Sequence, residues 1–349
     1  VIKYLGSKRT LVPLLQQIAL VSEAKTALDL FTGTTRVARS FKEVGLQVSA
    51  VDSASYSEVF AKTWIELDAE SVSQPELDTA IAQLNALAPS AGYFTKVFCE
   101  DARFFQPQNG ERIDAIRDFI ELTYRDSWLY HPLLAALLLA ADRVDSTTGV
   151  QMAYLKQWSK RSSTPLKLTD PGLLPGSGFA VRGDALEVAP NLPSVDIAYL
   201  DPPYNQHRYF ANYHIWETLV RWDAPESYGI ANKRLDVRTL ETKSKFNSKP
   251  AMPIAMRELM QTVKADTVVL SYNNEAWLSR DELIEMCQAR GHVEILDVDF
   301  KRYIGSQIGV YNKAGERVGL PGATRNTEHI LIAGEKKKVL SIFDKVRSI

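Results

Sequence analysis

The amino-acid sequence predicts an α/β protein built on a doubly wound sheet, closed by an antiparallel C-terminal strand and interrupted by a helical insertion. Three observations predict it. A strand, a glycine turn, a helix and a second strand open the chain, and that second strand ends on an acid. From Tyr56 to about Pro175 the periodicity is almost entirely helical. Strand patterns then return, and the strongest of them runs directly into Asp201-Pro202-Pro203-Tyr204.

The elements follow in order. Thr26–Phe31 is a short apolar run containing Asp29 and reads as a buried strand. Thr32-Gly33-Thr34-Thr35 supplies the turn, Arg36–Val44 places Val37, Phe41 and Val44 on one helical face, and Gly45 stops the helix. Gln47–Val51 is the second strand, closed by Asp52. Within the insertion, Ser57–Leu67, Gln74–Ala88, Glu111–Thr123, Leu133–Val144 and Gly149–Trp158 predict helices, with an extended piece at Tyr93–Phe98. Such a stretch is too long for a crossover and too helical for more sheet. The chain therefore divides into a sheet domain, residues 1–55 and 176–349, and a helical subdomain, residues 56–175. Beyond it, Phe179–Val181 with Gly183-Asp184, Val195–Leu200 and Thr267–Ser271 read as strands, and Asp281–Arg290 as a helix. His292–Phe300 and Glu328–Ala333 form a closing antiparallel pair, and the glycine-rich residues 301–326 an excursion between them.

Composition narrows the function classes. With 349 residues, 45% hydrophobic and 24% charged, the chain is an ordinary globular protein, which excludes disordered, collagenous and disulfide-scaffold classes. Lys plus Arg is 41 against 42 for Asp plus Glu, so the overall charge gives no pointer to an anionic partner. Cys99 and Cys287 are the only cysteines and form no CxxC pair, which predicts a reducing compartment. The opening VIKYLGSKRT lacks the apolar core of a signal peptide, and the apolar run Leu133–Ala141 is far short of the roughly 20 residues that span a bilayer. A cytoplasmic protein without a membrane partner is expected. The five histidines show no metal spacing, so no metal is expected, and only His207 stands out, by its nearness to Tyr204.

The chemistry concentrates at Asp201–Tyr204. In open α/β sheets, ligands bind at the carboxyl ends of strands, and this tetrapeptide sits at one. An aromatic amino nitrogen such as adenine N6 attacks poorly because its lone pair is delocalised into the ring. A carboxylate accepting one N–H and a backbone carbonyl accepting the other would hold the group and localise that lone pair. Asp201 offers the first acceptor and the Pro202 carbonyl, held by a ring-fixed φ, the second. Tyr204 could stack on the base, for about 1–3 kcal/mol. Such a site needs a methyl donor but no metal, and gains rate by positioning and electrostatics. Asp29, Gly33 and Asp52 fit a nucleotide-type site, with Asp52 placed to bind ribose hydroxyls, although a plain helix–sheet turn fits them equally. Gly183-Asp184 adds an acid to the same sheet edge, and Tyr4–Lys8 brings an aromatic, a turn and a cation before the first helix, which Ser7 could cap. Two basic runs flank this core. Lys233, Arg234, Arg238, Lys243, Lys245 and Lys249 face only Asp236 and Glu241, while Lys156, Lys160, Arg161 and Lys167 face no acid, which suits phosphate contacts.

Taken in order, YLGSK (Tyr4–Lys8), DLFTGTTRVA (Asp29–Ala38), Asp52, GDA (Gly183–Ala185) and DPPY resemble the Dam-like class of DNA adenine-N6 methyltransferases, in its FokI-methylase-like branch. DRVDSTTGVQMAYLK (Asp142–Lys156) and YIGSQIGVYN (Tyr303–Asn312) resemble that branch too, so the likeness covers nearly the whole chain. It implies a class I methyltransferase fold, Rossmann-like, with S-adenosylmethionine as donor and duplex DNA as substrate. By position, Tyr4 and Lys8 match the motif that closes over the donor's methionine part, and Asp29, Phe31 and Gly33 the first donor-binding motif. Asp52 matches the ribose-binding acid and Asp184 the acid near the donor's adenine, while Asp201, Pro202 and Tyr204 match the catalytic motif. The family pattern often has a second glycine where Thr35 stands here. The insertion occupies the place of the family's target-recognition domain, and a bacterial or phage-type enzyme working on nucleoid DNA is implied. A partner restriction endonuclease and the recognition sequence are left open. Three alternatives remain: an RNA adenine as acceptor, a protein amide as acceptor, and a catalytically idle DNA-binding module of the same fold. An oxidoreductase leaves DPPY unexplained.

Overall fold

Seven apolar segments assemble into one sheet. They are β1 (Thr26–Leu30), β2 (Gln47–Asp52), β3 (Phe179–Arg182), β4 (Val195–Leu200), β5 (Ala265–Asn273), β6 (His292–Lys301) and β7 (Arg325–Gly334). In the computed structural model, which describes residues 2–6, 8–206, 208–239, 242–301 and 325–348, they hydrogen-bond in the order β3-β2-β1-β4-β5-β7-β6. Strands β1 to β5 run parallel, and β7 is antiparallel to both β5 and β6. The chain builds outward from β1 to β3, then returns to the other side at β4. The point where strand order reverses therefore lies between β1 and β4.

Alternation along the strands sends side chains to two cores. Ala27, Val48, Ala50, Ile197 and Tyr199 face one, and Leu28, Leu30, Val51, Ala198 and Leu200 the other. The second face is covered by α9 (Met252–Thr262) and α10 (Arg280–Cys287) through Met252, Met256, Met260 and Leu283. The first is covered by α1 (Val12–Val21), α2 (Arg36–Glu43) and α11 (Lys336–Arg347). Helices α3 (Ser55–Ala61), α4 (Gln74–Ala86), α5 (Pro107–Tyr124) and α6 (Tyr130–Val144) bury their apolar residues in that same cluster. The helical stretch and the sheet thus share one continuous core, with Tyr56, Phe60 and Trp64 buried at the seam. Between β3 and β5 the chain also forms α7 (Ala185–Val188) and α8 (His214–Arg221), the latter burying Ile215, Trp216 and Leu219 in that same cluster. Among the described residues no helix is long and apolar enough to cross a membrane.

Three local expectations are corrected. Tyr93–Phe98 is helical, not extended, because the buried Asp114 carboxylate accepts from the backbone N–H groups of Gly92, Phe94 and Thr95 and from Thr95 Oγ1, at 2.6–2.9 Å. A distant acid on α5 so caps the turn, a partner that local sequence does not show. Gly149–Trp158 is not a helix. Gly149 has φ +106°, and Gln151 gives its backbone N–H to Asn212 O and accepts at its carbonyl from His214, spending on tertiary contacts what a helix would use internally. Gly183-Asp184 is not strand either: β3 ends at Arg182, and Asp184 caps α7 by accepting from Leu186 N at 2.9 Å. Ser7 and most of the glycine-rich excursion, residues 302–324, lie outside the described residues, and the N-cap position of α1 is Leu11.

Removing the Asp114 acceptor leaves buried donors unpaired. Asp114→Ala should therefore lower unfolding free energy by about 3 kcal/mol in urea denaturation, while Asp118→Ala on the same helix should cost less than about 1 kcal/mol.

Candidate active site

Because β1 to β4 are parallel, their carboxyl ends share one edge, and each delivers an acid there. Asp29 lies at the end of β1, Asp52 at the end of β2, Asp184 just beyond β3 and Asp201 just beyond β4. A cleft of about 740 Å³ opens along this edge. The turn after β1 shapes its floor through left-handed residues: Phe31 at φ +68°, Gly33 at +52° and Thr35 at +57°. A Cβ on Gly33 would lie 3.0 Å from the Tyr4 ring, so glycine serves both the conformation and the close approach. Thr35 takes the glycine-like conformation of the position where the related pattern often has glycine, and it is fully buried.

The acids are held differently. Asp52 accepts from Gly33 N at 2.8 Å through one oxygen and from Ala54 N at 2.9 Å through the other; burial still raises its pKa. Asp29 is buried. One of its oxygens accepts from Thr32 Oγ1 at 2.8 Å and Ala38 N at 3.0 Å, and the other, Oδ1, has no partner. Burial pushes the Asp29 carboxyl up to about 8, against those two hydrogen bonds and with help from the like charges of Asp201 and Asp52.

At the centre, Lys8 Nζ stands 2.9 Å from Asp201 Oδ1 and 2.5 Å from Oε1 of Glu328 on β7. Ser271 Oγ also donates to that Glu328 oxygen, and Asn273 Nδ2 donates to the other at 3.4 Å. Burial works against the Lys8 charge, but the two carboxylates outweigh it and hold the ammonium well above the ordinary lysine range. Burial raises Asp201 to about 6, opposed by Lys8 and assisted by Glu328. Tyr4 stacks on Tyr213 at 4.8 Å and on Tyr209 at 5.2 Å, and the Tyr213 hydroxyl accepts from Leu5 N at 2.6 Å, pinning the N-terminal segment over the cleft.

Of the residues selected from sequence, Tyr4, Phe31, Asp52, Asp184, Asp201, Lys243 and Lys245 line the cleft. Asp29, Gly33 and Lys8 lie behind them, Pro202 is buried, and Tyr204 packs edge-on against Tyr272 at 5.7 Å. Lys8, which the resemblance associates with the donor, is committed to two carboxylates. Lys233, Arg238 and Lys243 share a second recess, whereas two other bases in the runs are not available to phosphates. Arg234 is buried and gives its guanidinium to Asp223 at 2.6 Å and Asp236 at 2.9 Å. Arg161 is bound to Asp145 at 2.5 Å and to the Thr147 carbonyl at 2.7 Å. Lys160 beside it is exposed. His207 lies outside the described residues. Sequence reasoning missed Tyr209, Phe210 and Glu217, which line the cleft from the segment after DPPY, and Glu328, which reads only as the start of a strand. No spacing signal marks them, since tertiary packing alone brings them to the edge.

A sheet of this strand order, with its antiparallel β7 and an acid at each of four strand ends, defines a Rossmann-like class I methyltransferase fold. Residues 4–286 match the D12 class N6 adenine-specific DNA methyltransferases, and the chain belongs to that family. It is 31% identical over 324 residues to the modification methylase StsI of Streptococcus sanguinis, covering 86% of this chain and 48% of that protein. It is 32% identical over 316 residues to the type II methyltransferase M.NlaIII of Neisseria lactamica, covering 86% and 92%. With the type II methyltransferase M.FokI of Planomicrobium okeanokoites it shares 28% over 331 residues, covering 86% and 49%. The chain thus spans about half the length of the StsI and FokI methylases.

The raised Asp29 pKa has a stability consequence with a definite sign. Ionisation of the unfolded carboxyl near pH 4, ahead of the folded one near 8, means that its favourable contribution is complete below 4 and lost as pH rises to 8. Asp29→Asn should therefore gain stability relative to the parent between pH 5 and 8, as read by urea midpoints at each pH.

Proposed function

We propose that this protein transfers a methyl group from S-adenosylmethionine to N6 of an adenine flipped out of duplex DNA. The observation that carries the reading is the Asp201 carboxylate, set at the end of β4, lining the cleft and steadied by Lys8. There it accepts one N–H of the amine while the Pro202 carbonyl accepts the other, leaving the N6 lone pair directed at the donor. Tyr204 supports the base by stacking beside Asp201. The new C–N bond replaces the methyl's C–S bond, whose electron pair stays on the sulfur of the departing thioether, and the proton that N6 sheds passes to the Asp201 carboxylate and on to solvent.

The residues fit the donor. Asp29 Oδ1 is a buried acceptor without a partner, Gly33 keeps the turn open against Tyr4, and Asp52 lines the cleft with both oxygens already anchored to backbone. These residues, with Tyr4, Phe31 and Asp184, would hold S-adenosylmethionine, which supplies a methyl group on a cationic sulfonium. The cleft carries more carboxylates than bases among its lining residues, which suits a cation.

Duplex DNA is supported by the second recess, of about 390 Å³, immediately beyond DPPY. Arg208, Lys233, Arg238 and Lys243 line it, and among the described lining residues there is no carboxylate. Lys243 also lines the main cleft, so the basic surface continues into the site. We assign the helices of residues 56–175, with Lys160, to target recognition, and a restriction endonuclease of matching specificity as the partner in the cytoplasm of a bacterial or phage-infected cell. Extruding the base costs a few kcal/mol, which these contacts must offset.

The test is incubation with S-adenosylmethionine labelled in its methyl group and mixed-sequence duplex DNA, followed by digestion to nucleosides. Label should appear in N6-methyladenosine; label in RNA or protein alone would reject the reading. Asp201→Asn should lower kcat by about 10²-fold or more with donor affinity unchanged, and Tyr204→Ala should weaken DNA more than donor. Since burial raises Asp201 to about 6, kcat/KM should fall tenfold per pH unit below that value. Changing Lys233 and Lys243 together to Gln should reduce the slope of log affinity for DNA against log salt by about 2.

A further inference from the structure

We infer that Glu328 is a positioning residue of the active site: from β7 it anchors Lys8 so that the ammonium steadies Asp201 without occupying it. The inference rests on the reading of Asp201 as the acceptor of the substrate amine.

Lysine is a point charge on a flexible four-carbon stem, and a single contact would not fix it. Lys8 sits at the mouth of α1, where its carbonyl accepts from Leu11 N at 2.8 Å and Val12 N at 3.0 Å; that fixes its backbone but leaves the direction of its long side chain to the ammonium's own partners. The structure gives it two carboxylates, with its ammonium 2.5 Å from Glu328 and 2.9 Å from Asp201. Glu328 is itself locked. It lies opposite Asn273 in the β5–β7 register, is 2% exposed, and accepts from Ser271 and Asn273. An antiparallel strand thereby contributes a side chain to the edge where the parallel strands end.

Two arguments favour a function over a structural accident. First, sheet packing does not call for an acid here, since the next residues that β7 buries are Ile330, Leu331, Ile332 and Ala333. A buried carboxylate costs several kcal/mol unless it is paired and hydrogen-bonded, and this one carries three donors to offset that cost. Second, an ammonium belonging to Asp201 alone would compete with the incoming N6–H for the carboxylate lone pairs. Drawn to Glu328, it leaves Asp201 ionised with acceptor capacity toward the cleft.

The charged and titratable groups that act on Asp201 are Lys8, Glu328, Asp29, Tyr199, Tyr204 and Tyr209. Among them Lys8 lowers its pKa and Glu328 raises it. Glu328→Gln keeps the shape and removes one negative charge. It should lower kcat about tenfold at neutral pH, leave donor affinity and the KM for DNA within twofold, and move the acidic limb of kcat/KM below its position near pH 6. Lys8→Met should move that limb upward. Glu328→Asp, which keeps the charge, should recover part of kcat and hold the limb close to that of the parent. Unchanged kcat in Glu328→Gln would overturn the inference, and so would a loss of kcat with an unmoved limb, the signature of a merely structural role. The Asp201 midpoint can also be followed by carbon NMR in protein labelled at the aspartate carboxyls. That readout needs no substrate: a lowered midpoint in Glu328→Gln supports the coupling even if the parent methylates no DNA, while an unmoved midpoint overturns it in either case.

Discussion

A sheet edge that gathers four carboxylates has to satisfy each of them, and the site depends on the way the fold does so. Like charges at close range in a dry cleft cannot all ionise without compensation. Asp52 is met by two backbone N–H groups, Asp184 by the first turn of α7, and Asp201 by the Lys8 ammonium. Asp29 is met at one oxygen by Thr32 and Ala38 and at the other by nothing, and it is the carboxyl that burial holds protonated near neutrality. Four chemically identical side chains thus become four distinct groups. The differences come from backbone amides, a helix start and a lysine, none of them on the strands that carry the acids.

The same edge brings the turn after β1 and the segment after β4 into one cleft. That turn bends through three left-handed residues, bringing the Gly33 amide onto Asp52 and letting the backbone pass close beneath the Tyr4 ring. The Tyr4 ring, packed against both Tyr209 and Tyr213, ties the N-terminal segment to the chain just after DPPY. One short segment thereby roofs the cleft with Tyr4 and delivers Lys8 to Asp201. Membership of the D12 class of adenine-specific methyltransferases gives this geometry its chemical context.

Much of this was legible in the sequence where the information is local. Thr26–Phe31, Gly33 and Asp52 announce a strand, turn and strand-end acid through composition and spacing, and Val195–Tyr204 does the same for β4 and its motif. Where a distant partner decides, local reading failed. Tyr93–Phe98 is helical because Asp114 caps it, and Gly149–Trp158 is irregular because Gln151 bonds to Asn212 and His214. Charge counting has the same blind spot. Arg234 and Arg161 stand in basic runs, yet each is paired with an acid that folding brings near. Glu328 escaped notice because it opens an apolar strand, and its role exists only once Lys8, 320 positions away in the chain, lies beside it.

The shared core has a consequence for how this architecture can change over generations. Tyr56, Phe60 and Trp64 belong to the first helix after Asp52 and its continuation, and pack in the same cluster as Leu133, Leu137 and the sheet residues Ala50 and Ile197. The Ser55 amide is bonded to Glu217, a lining residue of the cleft, at 2.8 Å. An exchange of residues 56–175 for those of a relative would cut through this cluster and remove the packing beneath Ser55 and Glu217 at the cleft. The stretch therefore accommodates change on the outer face of its helices and in their loops, where the shared core stays intact, and resists replacement as a block.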